Sequence, residues 1–315
     1  MSATHVAVLG GSGFVGRSLV ARLCAEGRHV KVLTRDPLSA HALLVLPTVE
    51  VVRADPHDDR TLPGHLEGMD AVVNLVAILH EKGKATFQAV NVDLPRKVAG
   101  ACRASGVPRL VHMSALGASE SAPSGYLRSR GRGEAAVREA AGNTALTFFR
   151  PSVIFGPDDS FLNLFARLAG LFPVIPLAGP DARFQPVWVE DVTRCVALAL
   201  DDARTFGATY ELGGPKTYTL AEILAFVIAL RGGGRMVLGL PGWAAQLQAM
   251  VFEHLPGPIM TRDNLASMSV PNVCAGPFPE VFGFQPASME AIVPGYLAAA
   301  GQKARYDGFR CRAGR

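Results

Sequence analysis

The sequence predicts an α/β chain, a doubly wound parallel sheet with a smaller C-terminal lobe. Three observations carry this. The first half alternates short β-branched runs with longer helical patterns. The strand-like runs are almost continuously apolar, as strands covered on both faces must be. A glycine-rich turn joins the first run to the first helical stretch. With 315 residues the chain has length for one large domain or two modest ones, and 49% apolar against 18% charged residues excludes disorder for its bulk.

In chain order, Val6 to Leu9 reads as a strand and Phe14 to Glu26 as a helix. Val30 to Thr34, Val49 to Ala54 and Ala71 to Val76 read as the next strands, with a helix over Leu38 to Leu46. A long helix is expected from Thr86 to Ser105, a strand over Leu110 to Met113, a helix from Tyr126 to Ala141 and a sixth strand from Ala145 to Phe149. Prolines then break the rhythm, leaving one good helix from Phe161 to Leu171. The βαβ style returns with Val187 to Val189, a helix from Asp191 to Leu200 and Thr209 to Leu212. Thr219 to Leu230 and Met289 to Ala300 complete the helices. These patterns divide the chain into a dinucleotide-type domain (1–156 with 187–213), a smaller substrate-side lobe (157–186 with 214–301) and a basic tail (302–315).

Charge and composition narrow the function. The tail holds Lys303, Arg305, Arg310, Arg312 and Arg315 against Asp307, which accounts for the whole net charge of +4. The body is therefore neutral and lacks the basic face that a nucleic-acid partner needs. The tail suits an anionic membrane or an acidic partner, or is simply a solvated end. Five widely spaced cysteines and eight scattered histidines fit neither a disulfide framework nor a metal site and point to a reducing cytoplasm. A strand begins by His5 and leads straight into the glycine turn, leaving no room for a signal peptide. No apolar run reaches membrane-spanning length; Met236 to Phe252 reads as a buried or interfacial segment.

The sharpest motif is Gly10-Gly11-Ser12-Gly13-Phe14-Val15-Gly16. Glycines spaced in this way permit a tight turn, close backbone approach to a pyrophosphate and helix–strand packing, as in a Rossmann-type fold. The helix that follows presents free N–H groups and a partial positive charge to the phosphates. Gly10, Ser12, Gly13, Phe14, Val15 and Gly16 are thus candidate dinucleotide ligands. At the end of the second strand Arg35 suits a 2′-phosphate and favours NADP(H) over NAD(H), while Asp36 keeps NAD open. Asp55 is placed near the adenine, with a turn before Pro56 as the alternative.

These residues, with NLVA at 74–77, VHMSALGA at 111–118, Tyr126-x-x-x-Arg130, RPSVIFGP at 150–157 and PVWVEDV at 186–192, resemble the short-chain dehydrogenase/reductase superfamily in its extended or atypical branch. LPGPIMTRDNLASMSVPNV at 255–273 and VFGFQPASMEAIVPGYL at 281–297 are similar to the subgroup that includes the nucleotide-binding accessory subunit of respiratory complex I and its bacterial relatives. The resemblance implies a tyrosine that moves a proton, Tyr126, and a serine that steadies the substrate oxygen, Ser114. It implies a lysine four residues after the tyrosine, where this chain has Arg130. Asn74, Ala77, Pro151 and Val153 would lie along the cofactor. Arginine supplies the positive charge and binds hydroxyls but cannot shuttle a proton. Two readings follow. One is an NADP(H)-binding reductase acting on a quinone or other lipophilic carbonyl. The other is a non-catalytic, nucleotide-stabilised accessory subunit or assembly factor of a respiratory NADH:quinone oxidoreductase. The expected location is the cytoplasm, peripheral at the inner face of the membrane.

Overall fold

The computed structural model describes residues 3–253 and 260–298. In chain order the elements are β1 (His5–Leu9), α1 (Phe14–Ala25), β2 (His29–Thr34), β3 (Val49–Arg53), α2 (Leu62–Leu66), β4 (Ala71–Asn74), α3 (Leu94–Ala104), β5 (Arg109–Met113), α4 (Gly125–Ala140) and β6 (Ala145–Pro151). They continue with β7 (Ile154–Phe155), α5 (Leu162–Leu171), β8 (Val174–Ala178), β9 (Arg183–Phe184), β10 (Val187–Trp188), α6 (Val189–Asp201) and β11 (Thr209–Leu212). Last come β12 (Tyr218–Thr219), α7 (Leu220–Leu230), β13 (Met236–Leu240), α8 (Gly242–Glu253) and α9 (Arg262–Met268), with a helix over 289–298. The basic tail lies outside the described residues.

Two compact units share the chain. The first comprises Met1–Pro151, Val189–Leu212 and Ala275–Phe284; the second comprises Ser152–Trp188, Gly213–Cys274 and Gln285–Arg315. Residues 275–284 fall in the first unit because Phe282 packs its ring against Phe149 and Tyr210.

The first unit is a seven-stranded sheet in the order β11-β6-β5-β4-β1-β2-β3, with every pairing parallel. Its strands are apolar on both faces, so helices must cover both. Ala7, Leu9, Leu33, Val72 and Phe148 line one face and meet Leu62, Leu94, Val98 and Val137 from α2, α3 and α4. Each fully buried Leu or Phe contributes about 1.5–3 kcal/mol. The chain order reverses between β1 and β4, and ligands bind at the carboxyl ends of strands at such a point.

In the second unit, α5, α7 and the helix over 289–298 pack around Phe155, Leu162, Ile223, Leu224, Val227 and Val293. α7 starts on a capping box in which Thr219 and Glu222 satisfy each other's backbone N–H groups. Its strands are short pairs: β7 with β10, β9 with β12, β8 with β13. Val187 and Trp188 therefore pair with Ile154 and Phe155 rather than extending the large sheet.

Several elements differ from the sequence reading or are not marked by it. The stretch expected as a helix over Leu38 to Leu46 is a 3-10 segment, Pro37–Leu43, opened by Asp36. α2, five residues long, is too short to show periodicity. The segment Met236 to Phe252 is a strand followed by a helix. The long helix expected from Thr86 to Ser105 is wound as a π-helix over Gln88–Asp93 before α3 begins. Asn91 explains that widening. It is fully buried, accepts from the Ile78 N–H (3.0 Å) and donates to the Ile78 carbonyl (3.2 Å) and Ser129 Oγ (3.0 Å). The two glycines that weaken α4 by propensity have a matching cause: a Cβ at Gly133 would run into the Asn91 carbonyl, and one at Gly131 into the backbone of Ser119 and Glu120.

Candidate functional site

β1 lies between β2 and β4, so its carboxyl end opens where the chain order reverses. There Gly10 takes φ +82°, and a Cβ on it would come within 3.2 Å of the Leu75 and Val76 backbone. A Cβ at Gly16 would collide with the Gly10 carbonyl and the backbone of Gly11. Glycine is required at both positions. Gly13 donates to the Gly10 carbonyl (3.0 Å) and caps α1 without a side-chain acceptor, and the first turn holds no acidic residue. Neither the cap nor the first turn of α1 therefore supplies a compensating side chain, which suits an anionic ligand. Ser12, Phe14 and Val15 are half-buried around this turn, and Arg17 Nη1 donates to the Ser12 carbonyl (3.4 Å).

At the end of β2 the two candidates divide. Asp36 Oδ1 accepts the Leu38 N–H (3.1 Å) and starts the 3-10 segment. Arg35 is exposed. Arg53, the last residue of β3, pairs in register with Thr34 and is also exposed, so a second guanidinium stands at this edge. Strand register brings it there, and no sequence motif marks it. Asp55 Oδ1 accepts the His57 N–H (3.0 Å), closing a turn around Pro56.

Asn74 ends β4 almost fully buried, with its amide occupied within the protein. Its Oδ1 accepts the Val76 N–H (3.1 Å), so its Nδ2 faces His112 Nδ1 at 3.2 Å. Asn74 thus shapes the strand end, while Ala77 beyond it is exposed. Ser114 follows β5 and Ser124 caps α4 by accepting the Leu127 N–H (3.1 Å). One turn along, Tyr126 and Arg130 share a face of α4. Tyr126 sets its ring 6.2 Å from that of Phe87. Arg128 turns away and donates to the Ala122 and Pro123 carbonyls. Pro151 ends β6, its carbonyl accepting the Leu116 N–H (3.0 Å). Val153 belongs to the second unit, where its N–H donates to Asn272 Oδ1 (3.1 Å).

Arg130 is the unusual group. Only 2% of it is exposed; Nη2 donates to the Met113 carbonyl, while Nε and Nη1 have no hydrogen-bond partner among the described residues. Burial pushes its pKa below the ordinary guanidinium value, and the charges of Tyr126 and Glu134 pull it back up. Ser114 Oγ, also buried, has no partner either. Buried polar groups left unmade cost about 1–3 kcal/mol each. A hydroxyl-bearing ligand would satisfy them, so the residues present fit the sugar and nicotinamide end of a dinucleotide, as the glycine turn fits its phosphates. Glu134, itself buried, is held by Arg150 through a two-pronged pair at 2.8 and 2.7 Å.

His112 predicts a pH dependence. The Asn74 amide donates to its Nδ1, which fixes the neutral tautomer with the proton on Nε2. Burial first, and the Arg130 charge second, hold its pKa well below the usual histidine value. The unfolded chain therefore takes up this proton before the folded protein does. The stability is complete above about pH 6.5 and falls with decreasing pH by up to about 1.4 kcal/mol per unit. Denaturant titrations between pH 5 and 7 are expected to show this slope, and His112→Gln to flatten it; an equal slope in the variant would refute it.

Residues 10–153 match the family described as NAD(P)H-binding. The chain is 35% identical over 229 residues to an Arabidopsis thaliana protein, NADH dehydrogenase [ubiquinone] 1 alpha subcomplex subunit 9, mitochondrial, covering 69% of this chain. It spans about half, 56%, of that relative's length. It is 37% identical to the ceramide reductase of Caulobacter vibrioides over 248 residues, covering 75% of this chain and 73% of the relative. The structure of UDP-glucuronic acid 4-epimerase from Bacillus cereus shares the fold, with TM-score 0.69 and 17% identity over 94% of this chain and 99% of that one. No helix among the described residues is long and apolar enough to cross a membrane.

Proposed function

The chain belongs to the short-chain dehydrogenase/reductase superfamily, in its atypical, extended branch, and from that premise we propose that it is an NADP(H)-dependent reductase of a quinone or another lipophilic carbonyl compound, working at a membrane face. The observation that carries the reading is the burial of Arg130 and Ser114, with donors on Arg130 and an oxygen on Ser114 that nothing among the described residues satisfies, and half-buried Tyr126 one helical turn before Arg130. NADPH, when bound, supplies the hydride. Tyr126 gives its hydroxyl proton to the substrate oxygen, Ser114 orients that oxygen, and Arg130 holds ribose hydroxyls with its free N–H groups. The glycine turn and the start of α1 hold the diphosphate.

Arg35 and Arg53 support NADP(H) over NAD(H), and one carboxylate oxygen of Asp36, the competing ribose ligand, already accepts the Leu38 N–H. Arg35→Ser is expected to weaken NADPH binding about tenfold, about 1.4 kcal/mol, and to leave NADH binding unchanged. Calorimetry with both nucleotides measures this, and an equal loss for the two would assign Arg35 elsewhere.

A second reading has its own observation. Arg130 stands where the superfamily has a proton-conducting lysine, and an arginine stays charged and cannot pass a proton on. That favours a nucleotide-stabilised subunit of a respiratory NADH:quinone oxidoreductase, in line with the name of the plant relative. One experiment separates the two: NADPH oxidation by the purified protein with a panel of quinones and long-chain ketones. Turnover that Tyr126→Phe abolishes supports the reductase. Absence of turnover, with NADP(H) released on denaturation and a larger assembly recovered from gently lysed cells, supports the subunit.

A further inference from the structure

α8 faces the wrong way for a helix on a water-facing surface. It buries two alanines, Ala245 and Ala249, and turns Trp243, Leu247, Met250 and Val251 outward; Trp243 is 73% and Leu247 53% exposed. At about 100° per residue these four form one stripe. Gln248 Nε2 donates to the Pro176 carbonyl (3.2 Å) and seats α8 beside β8. The β8–β13 pair continues the apolar surface. Val174 lies opposite Met236 and Pro176 opposite Leu238, and these residues are exposed while Ile175 and Leu177 fill the core. Leu171 and Phe172, at the end of α5, are exposed as well.

The border of this face is basic. Arg167 on α5, Arg231 after α7 and Arg235 before β13 stand on the adjoining segments, against Asp263 on α9. Before Glu253, whose carboxylate is paired with Arg262 at 3.0 Å, α8 carries no charge. An apolar surface of this extent marks an interaction site. We propose that this face is where the protein sits on an anionic phospholipid bilayer. Tryptophan and phenylalanine suit the depth of the headgroups, and guanidinium groups bind their phosphates. A second copy meeting the same face about a twofold axis would set arginine against arginine. Beyond the described residues the sequence adds five basic side chains against one acidic, of the sign an anionic surface attracts. The assignment rests on the reading that the protein works at a membrane face, and it names the surface that does so.

The test uses the full chain and co-sedimentation with phosphatidylcholine vesicles, with and without phosphatidylglycerol. Wild-type protein is expected to bind the anionic vesicles, less so in high salt, and Met236→Glu/Leu247→Glu to lose at least about tenfold in partitioning. NADPH affinity in the double variant reports that it is folded. Binding that the double variant retains would overturn this face while sparing the membrane reading. Absence of binding by wild type would overturn both. A wild-type dimer that the substitutions split, with no vesicle binding, would make a second copy the occupant and refute the proposal. In a Trp188→Phe background, Trp243 fluorescence is expected to shift to the blue on anionic vesicles; unchanged emission counts against it.

Discussion

Gly16→Val is expected to abolish dinucleotide binding, with a loss of at least about a hundredfold in affinity, about 2.7 kcal/mol. A Cβ at this position meets the Gly10 carbonyl and the Gly11 backbone, none of which is a flexible side chain that can swing aside. The start of α1 must therefore move off the turn, and the N–H groups that would meet the diphosphate leave with it. The expected result is a folded protein with no calorimetric response to NADPH. Gly100→Ala is the control. It lies in α3 with nothing within 4 Å of an added Cβ, so it should gain up to about 1 kcal/mol of stability and bind nucleotide unchanged. Undiminished affinity in a folded Gly16→Val protein would remove the basis for placing the diphosphate here.

Arg130→Met separates the fold from the ligand. In most proteins truncating a buried cation is costly because a partner is left alone. Here two of the cation's own donors are already unmade, and the one bond certain to be lost is that to the Met113 carbonyl. Replacing a poorly satisfied buried charge with an apolar side chain of similar volume is often neutral or stabilising. The ligand-free variant is therefore expected to melt within a few degrees of wild type. The stabilisation by NADPH should fall sharply: a hundredfold weaker complex forfeits about 2.7 kcal/mol of it at saturating nucleotide. Melting with and without NADPH measures both quantities. An unchanged NADPH increment would show that Arg130 serves packing alone. Arg130→Lys, which restores the superfamily's usual residue, is expected to keep part of the increment through a single ammonium group.

The large sheet was legible from the chain because parallel strands buried on both faces leave uninterrupted apolar runs, and Gly10, Gly13 and Gly16 mark the turn that follows the first. Tyr126 and Arg130 were legible because one helical turn separates them. What stayed hidden depends on contacts between distant segments. Asn91 looks like any polar residue on a helix until Ile78 and Ser129 close around it. Gly131 and Gly133 look like weaknesses in α4 until Ser119 and Asn91 are seen against them. Arg53 becomes a neighbour of the β2 terminus only through strand register. Asn74 drew attention for its place at a strand end, and the structure assigns its amide to His112 and Val76. The apolar face of α8 was visible only as a hydrophobic stretch, since periodicity cannot say which side of a helix meets the core.

The widened turn at Gln88–Asp93 carries an evolutionary constraint. A π-turn is an α-helix with one surplus residue, and each residue rotates the chain by about 100°. Deleting one residue between 88 and 93 would restore an ordinary helix and leave α3 in phase, but it would swing Asn91 away from Ile78. Descendants of this chain can exchange side chains along that stretch far more readily than they can change its length.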